Sequence, residues 1–324
     1  MATKPVVIVT RRWPALVEEK LRDAFDATFN HDDVPMTKEA LMKAMGEADA
    51  LLPTVTDSID KDVIGVPHRR VRIIGNFGVG FNNIDIEAAK SAKIVVTNTP
   101  EVLTDCTADI AMILLLAVAR RIGEGERHLR TGAWTGWRPT HMMGKRVSGK
   151  TLGLIGYGRI AQAVARRAHL GFGMPILYYD PYVRKDTLAA DVHATSCDKL
   201  DDVLRQADYV SLHCPSTAET RHLINASSFA KMKPTAFLIN TARGDIVDEA
   251  ALVQALREQI IFGAGLDVYE REPKVHSDLM KMENVVLLPH LGSASTETRQ
   301  AMGMRVLANV DAFFKGQEPA DRVA

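Results

Sequence analysis

Short β-branched runs alternate with stretches of helical period from the start of the chain. Val6 to Val9 is followed by an apolar-periodic stretch from Ala15 to Phe25, then by Ala50 to Leu52, Val71 to Ile74 and Ile94 to Val96. Strands separated by helix-length segments predict a parallel sheet covered by helices. From Glu101 to Arg121 the text becomes one long helix, in which Ile110 to Ala119 is continuously apolar and predicts burial on all sides, between domains or subunits. Residues 131–149 carry Gly, Pro and two of the three tryptophans without a clean period, and predict an irregular arm. The alternation then resumes, with strands at 151–155, 176–179, 208–212, 236–239, 264–266 and 285–288, a second and larger sheet. A last helix from near Ser295 to Phe314 repeats apolar residues at Met302, Val306, Val310 and Phe313 and is a candidate to return to the first domain.

The 324 residues suffice for about two domains. Lys plus Arg and Asp plus Glu number 40 each, so no net field steers the chain toward nucleic acid or an anionic membrane, and neither is expected as a partner. Cys106, Cys197 and Cys214 stand apart with no CxxC pair, which argues against a disulfide framework or a metal cluster and suits a reducing, cytoplasmic compartment. The longest apolar run is half the length a bilayer span needs.

The apolar run TLGLI leads into Gly156-Tyr157-Gly158-Arg159-Ile160-Ala161 and a helix with apolar residues at Ile160, Val164 and Ala168. This is a dinucleotide fingerprint with Ala at its third small position: Gly156 for the tight turn, Gly158 for close approach to a pyrophosphate, Ala161 for helix packing. The amides of Arg159 and Ile160 at the helix start offer donors to phosphate. Asp180 ends the next strand, 24 residues after Gly156, where a carboxylate holds ribose hydroxyls and repels a 2′-phosphate, so NAD is the expected cofactor and NADH is favoured over NADPH. A turn role before Pro181 is the alternative for Asp180.

In such sheets ligands bind beyond the carboxyl ends of strands, where polar residues cluster here: His213-Cys214-Pro215, Asn240-Thr241-Ala242-Arg243-Gly244, Asp267, and Pro289-His290. Reduction of a carbonyl needs a proton donor, assigned to His290. A carboxylate to fix its tautomer is assigned to Glu272, and a guanidinium to clamp a substrate carboxylate to Arg243. Taken singly, each has a bland alternative as a satisfied, ion-paired or solvated side chain; their joint arrangement favours the site. His213 is placed in the cofactor wall, as is Cys214, which has no neighbouring base. The other eight histidines, His222 among them, follow no buried strand and are expected at the surface. Val79 and Gly80 in the glycine-rich turn after Val71 to Ile74 either bind a carboxylate through their amides or form a plain turn.

The segments NFGVGFNNIDIEAAK, VLTDCTADIAMILLLAVARR, GKTLGLIGYGRIAQAVARR, HCPSTAETRHLIN, NTARGDIVDEAAL, GLDVYEREP and LLPHLGSAS, spread from about Val6 to Phe314, resemble the D-2-hydroxyacid dehydrogenases, in particular the glyoxylate/hydroxypyruvate reductase branch. The resemblance implies an α/β fold of two doubly wound parallel-sheet domains: a smaller flavodoxin-like substrate domain from 1–100 and 293–324, and a Rossmann NAD-binding domain from 101–292, with closure of the cleft between them. It implies Arg243, Glu272 and His290 as the catalytic set for small 2-oxo acids. It further implies that Thr107 approaches the nicotinamide ribose or phosphate, that Pro215 and Thr220 line the adenine and phosphate side, and that Asp267 contacts the nicotinamide amide. Tyr157, Thr241, Ala242 and Gly292 fall in the same cofactor-contacting segments. RTGAWTGWRP resembles the dimer arm of that branch, which implies a homodimer with Trp137 reaching the partner subunit's substrate pocket; simple interface packing is the alternative. Ser293 and Arg299 are further candidates for that pocket.

Asp180 departs from the Arg- or Ser-bearing NADP users of the branch, and the chain ends soon after its last helix, without the extra domain of many phosphoglycerate dehydrogenases. An NAD-sensing binding protein on the same fold, like the corepressors that resemble this family, is the competing function. A dehydrogenase for another D-2-hydroxy acid is the nearer one. Formate oxidation is weakened by Glu272, where that family carries glutamine.

Overall fold

Residues 3–183 and 192–324 are described by a computed structural model, and they divide into two units: residues up to Leu103 together with Ser293–Ala324, and Thr104–Gly292. In the first unit the chain runs β1 (Val6–Val9), α1 (Ala15–Ala24), β2 (Asp26–Phe29), α2 (Lys38–Glu47), β3 (Ala50–Leu52), α3 (Lys61–Ile64), β4 (Ile73–Gly75), α4 (Ile86–Ser91) and β5 (Val95–Thr97). Among the described residues these strands form a five-stranded parallel sheet of order β2-β1-β3-β4-β5, the flavodoxin-like winding. The strands at its centre are apolar on both faces because helices cover both, and β3 and β4 are wholly buried.

The second unit runs α5 (Thr104–Ala119), α6 (Ile122–Arg130), β6 (Leu152–Ile155), α7 (Arg159–Phe172), β7 (Ile176–Tyr179), β8 (Thr195–Ser196), α8 (Leu200–Gln206), β9 (Tyr209–Leu212), α9 (Ala226–Phe229), β10 (Phe237–Asn240), α10 (Glu249–Arg257), β11 (Gly263–Leu266) and β12 (Val285–Leu287). Its parallel sheet has the order β12-β11-β10-β9-β6-β7-β8. β6 pairs with β7 on one side and β9 on the other, so the winding reverses there, which opens a crevice at the carboxyl ends. α5 packs on α7, β10 and β11, and within its apolar run Ile113 is 52% exposed in the single chain. Beyond Arg121, a stretch to which the sequence reading gave no element, the chain forms α6, a helix with no buried residue.

Helix α11 (Thr296–Phe314) belongs to the first unit. Ser295 caps it by accepting from the Thr298 amide, and Met302, Val306 and Val310 bury its inner face against the sheet, where α11 lies on β4 and α1. The following tail completes the sheet edge: Val323 N donates to Val96 O (2.8 Å) and Val96 N to Ala324 O (3.1 Å). Asp321, buried, is held by Arg305 at 2.6 and 2.7 Å and by Asn309 Nδ2 at 2.8 Å.

Candidate active site

The turn after β6 is built for glycine. Gly156 has φ +81°, and a Cβ there would lie 2.6 Å from Cys214 N, so the end of β9 and the turn pack backbone to backbone. Gly158 precedes α7, and a Cβ on it would meet nothing within 4 Å. Among the described residues no side chain caps α7, whose first residues are Arg159 and Ile160. An open approach to uncapped helix amides suits a phosphate group. Ala161 is fully buried against the sheet. Asp180 takes the turn role: one oxygen closes the turn by accepting from Tyr182 N (2.8 Å) and Val183 N (3.0 Å), and the other accepts from Tyr157 N (2.7 Å) inside the glycine turn.

Beside that turn, burial pushes His213 down to about 3, leaving it neutral and unfit as the acid; its Nε2 lies 2.9 Å from Ser211 Oγ. Burial likewise raises the Cys214 thiol to about 11, which removes it as a nucleophile. Thr220 donates from Oγ1 to Pro215 O (2.6 Å), folding the loop after β9 onto itself.

At the end of β10, Asn240 shapes the next turn: Ala242 N donates to its Oδ1 (3.0 Å) and its Nδ2 donates to Arg243 O (2.9 Å). Thr241 Oγ1 is buried and has no hydrogen-bond partner among the described residues, an orphan that a ligand's polar atom would satisfy. Arg243 Nη1 donates to Ala242 O (2.7 Å). Burial works against its charge, while the carboxylates of Glu272 and Asp245 support it.

At the end of β11, Asp267 is 1% exposed and holds the loop that carries His290. Its oxygens accept from Leu291 N (2.6 Å) and Gly292 N (2.7 Å), and its carbonyl accepts from His290 N (2.9 Å). Burial raises the Asp267 carboxyl, while those amides and the nearby His290 oppose the rise. A Cβ on Gly292 would lie 3.4 Å from Thr107, which puts the start of α5 beside the same loop. His290 has φ +56°, a left-handed conformation that a non-glycine residue holds only where its surroundings over-determine it.

His290 Nδ1 lies 2.8 Å from Glu272 Oε2, and Glu272 Oε1 accepts from Tyr269 N (3.0 Å). Burial tends to raise Glu272, but the hydrogen bond and charge of His290 and the charge of Arg243 hold it below the usual carboxylate range. The three groups therefore share one electrostatic neighbourhood. An ionised Glu272 is an acceptor for a proton on Nδ1, a tautomer or charge state in which Nε2 is the ring nitrogen turned away from the carboxylate.

In the first unit, Asn76 Nδ2 donates to Gly80 O (2.9 Å) and Asn98 Nδ2 to Val79 O (2.8 Å). With the carbonyls tied back, the Val79 and Gly80 amides donate to no group among the described residues. Arg299 Nε donates to Ser293 O (3.1 Å). Trp137 is 82% exposed on an irregular segment of the second unit. Sequence reasoning missed Asn76, Asn98 and the pairing of His222 with Glu270 (3.0 Å); His222, expected at the surface, is a half-buried partner. Among the described residues no group of three or more His, Cys, Asp or Glu is arranged to hold a metal, and no helix is long and apolar enough to cross a membrane.

The family model described as D-isomer specific 2-hydroxyacid dehydrogenase, NAD binding domain, matches residues 112–292. The chain is 46% identical over 321 residues to a glyoxylate reductase of Pyrococcus horikoshii, covering 98% of this chain and 95% of that one. It is 44% identical over 325 residues to a glyoxylate reductase of Thermococcus litoralis, covering 99% and 97%. Its fold is similar to the crystal structure of an NADPH-dependent glyoxylate/hydroxypyruvate reductase from Sinorhizobium meliloti in complex with NADP and malonate, with TM-score 0.88, 35% identity and coverage of 99% and 97%.

Proposed function

The chain belongs to the D-isomer specific 2-hydroxyacid dehydrogenase family, and on that premise we propose that it reduces small 2-oxo acids, glyoxylate and hydroxypyruvate foremost, with NADH as reductant and His290 as acid. The observation that carries this reading is the 2.8 Å contact of His290 with Glu272, in reach of the half-buried Arg243 charge, at or just beyond the ends of neighbouring strands. The names of the relatives support the substrate class.

A nicotinamide, when bound in reduced form, supplies two electrons and a hydrogen to the carbonyl carbon. The open Gly158 approach, the uncapped start of α7 and the orphaned Thr241 hydroxyl fit such a cofactor. Gly156, Tyr157, Arg159 and Ile160 would line its phosphates, with Thr107, His213, Cys214, Pro215, Thr220, Ala242 and Gly292 as further wall. A contact from Asp267 to the carboxamide would use lone pairs left over on oxygens that already hold Leu291 and Gly292.

In this reading Arg243 clamps the substrate carboxylate and polarises the carbonyl, and the Val79 and Gly80 amides take up carboxylate oxygens. His290 gives its Nε2 proton to the substrate oxygen, while Glu272 holds the ring in place and stabilises its protonated form. Ser293 and Arg299 remain candidates for the substrate pocket. Exposed Ile113, Ile122, Leu129, Trp134, Trp137 and Met143 support a homodimer, in which Trp137 is proposed to reach the partner subunit's substrate pocket.

Following NADH consumption with glyoxylate, hydroxypyruvate and pyruvate tests the function. The expected result is turnover with glyoxylate and hydroxypyruvate above pyruvate, and higher kcat/KM with NADH than with NADPH. Absence of turnover with every small 2-oxo acid would favour a nucleotide-sensing protein. Asp180→Asn removes the charge and keeps an acceptor for Tyr182 N and Val183 N while giving up the one that faces Tyr157 N, and it is expected to lower the NADH-to-NADPH ratio of kcat/KM by roughly tenfold or more. An unchanged ratio would show that Asp180 serves the turn alone.

A further inference from the structure

Glu272 is aimed from a short segment, 269–272, that other chain segments grip from three sides. The Tyr269 amide holds Glu272 Oε1 directly. Glu270 N donates to Oε1 of Glu249 (2.8 Å), a buried residue in the first turn of α10. Gly244 presses on the same backbone so closely that a Cβ there would lie 1.9 Å from the Tyr269 carbonyl carbon and 2.4 Å from Glu270 N. The third grip is a side-chain pair: His222 Nε2 lies 3.0 Å from Glu270 Oε1, with Arg221 Nη2 at 3.8 Å from the same oxygen.

His222 is itself anchored. Its amide donates to Asp245 O (2.8 Å), its carbonyl accepts from Asn225 Nδ2 (3.0 Å), and its φ is +49°. Asp245 in turn accepts from Ser216 Oγ (2.7 Å), and two residues earlier in the chain stands Arg243. The pair thus ties the Glu272 segment to the turn that follows Arg243. We infer that His222 and Glu270 are positioning residues, which hold Glu272 and Arg243 in register and so keep the His290 imidazole aligned. This rests on the roles given above to Arg243, Glu272 and His290. Misplacing a catalytic group by about 1 Å costs on the order of a hundredfold in rate, which sets the scale available to such a clamp.

The test compares His222→Ala with His222→Gln, whose amide nitrogen replaces the donor to Glu270. One readout is kcat and KM as a function of pH for glyoxylate reduction. The other is independent of turnover: the proton NMR signal of the His290 Nδ1–H bonded to Glu272, assigned through its loss in His290→Gln. His222→Ala is expected to broaden or abolish that signal and to lower kcat about tenfold or more while KM for NADH stays near wild type. His222→Gln is expected to restore the signal and most of the rate. If His222→Ala does not fold, Glu270→Gln, which keeps an acceptor but drops the charge, is read in the same two ways and is expected to weaken both. A wild-type signal and rate in His222→Ala, or in Glu270→Gln where that variant takes its place, overturns the inference, as does His222→Gln impaired as deeply as His222→Ala. If the wild-type chain turns over no 2-oxo acid, the proposed function fails and the NMR comparison still decides the clamp.

Discussion

His290→Gln is expected to lower kcat for glyoxylate reduction by about a thousandfold, within the range that general acid catalysis contributes, while leaving NADH affinity nearly intact. Glutamine has a similar reach but no proton to give at neutral pH. The ring nitrogen facing away from Glu272 is the one assigned to the substrate oxygen, so the loss should appear in the chemical step. Fluorescence titration with NADH separates the two effects; affinity falling in parallel with kcat would sink the assignment. The wild-type pH profile should match. Glu272 is held below the usual carboxylate range of about 4.3, so it stays ionised well into acid, and the reductive rate should hold on that side. The same depressed value means that Glu272's contribution to stability is complete above about pH 4.3 and is lost only as pH drops through the lower folded value.

Gly244→Ala should damage both stability and rate. Its methyl would overlap backbone atoms of Tyr269 and Glu270, which cannot rotate away as a side chain tip can. Overpacking of this kind costs about 1–3 kcal/mol or more, enough to lower the melting temperature by several degrees in a protein of this size. Any relief must move the segment bearing Glu272, so kcat is expected to fall at least about a hundredfold. Gly158→Ala is the contrasting case: nothing lies within 4 Å of the added carbon, so melting should be unchanged and NADH binding weaker. Gly244→Ala that melts and turns over like wild type would contradict the described contact between 243–244 and 269–270.

The winding was readable because most of its strands are buried or nearly so and therefore apolar. Val6–Val9 and Ala50–Leu52 coincide with the predicted runs, and those of the larger sheet fall within a residue or so. β2 was missed because Asp26–Phe29 is an edge strand, exposed and half-buried in alternation, whose composition resembles a loop. The two-residue β8 offers too little text to read. α6 carries two glycines and only two large apolar side chains, Ile122 and Leu129, both exposed, too little pattern to read as a helix.

Within the site, strand-end positions pointed to Arg243 and His290, since a strand's carboxyl end is fixed by where its apolar run stops, and Glu272 was read from its place before Pro273 in the loop after Asp267. The holding contacts were silent for a different reason. Asp267 to the 291–292 amides, Asn98 to Val79 and His222 to Glu270 join residues 19 to 48 positions apart, and no local period encodes such meetings. His222 is the plainest instance, read as a surface residue because its sequence neighbours carry no strand.

The discontinuity of the first unit bears on how the chain is made. A ribosome releases residues 104–292 as one uninterrupted stretch, whereas the smaller sheet waits for helix α11 to cover β4 and for the last four residues to pair with β5. The nascent polypeptide therefore has to carry an unfinished, apolar-faced sheet through most of its synthesis, while its nucleotide-binding portion can already close. Chaperone dependence during translation should fall on the amino-terminal third, although that portion contains none of the three groups assigned to the chemistry.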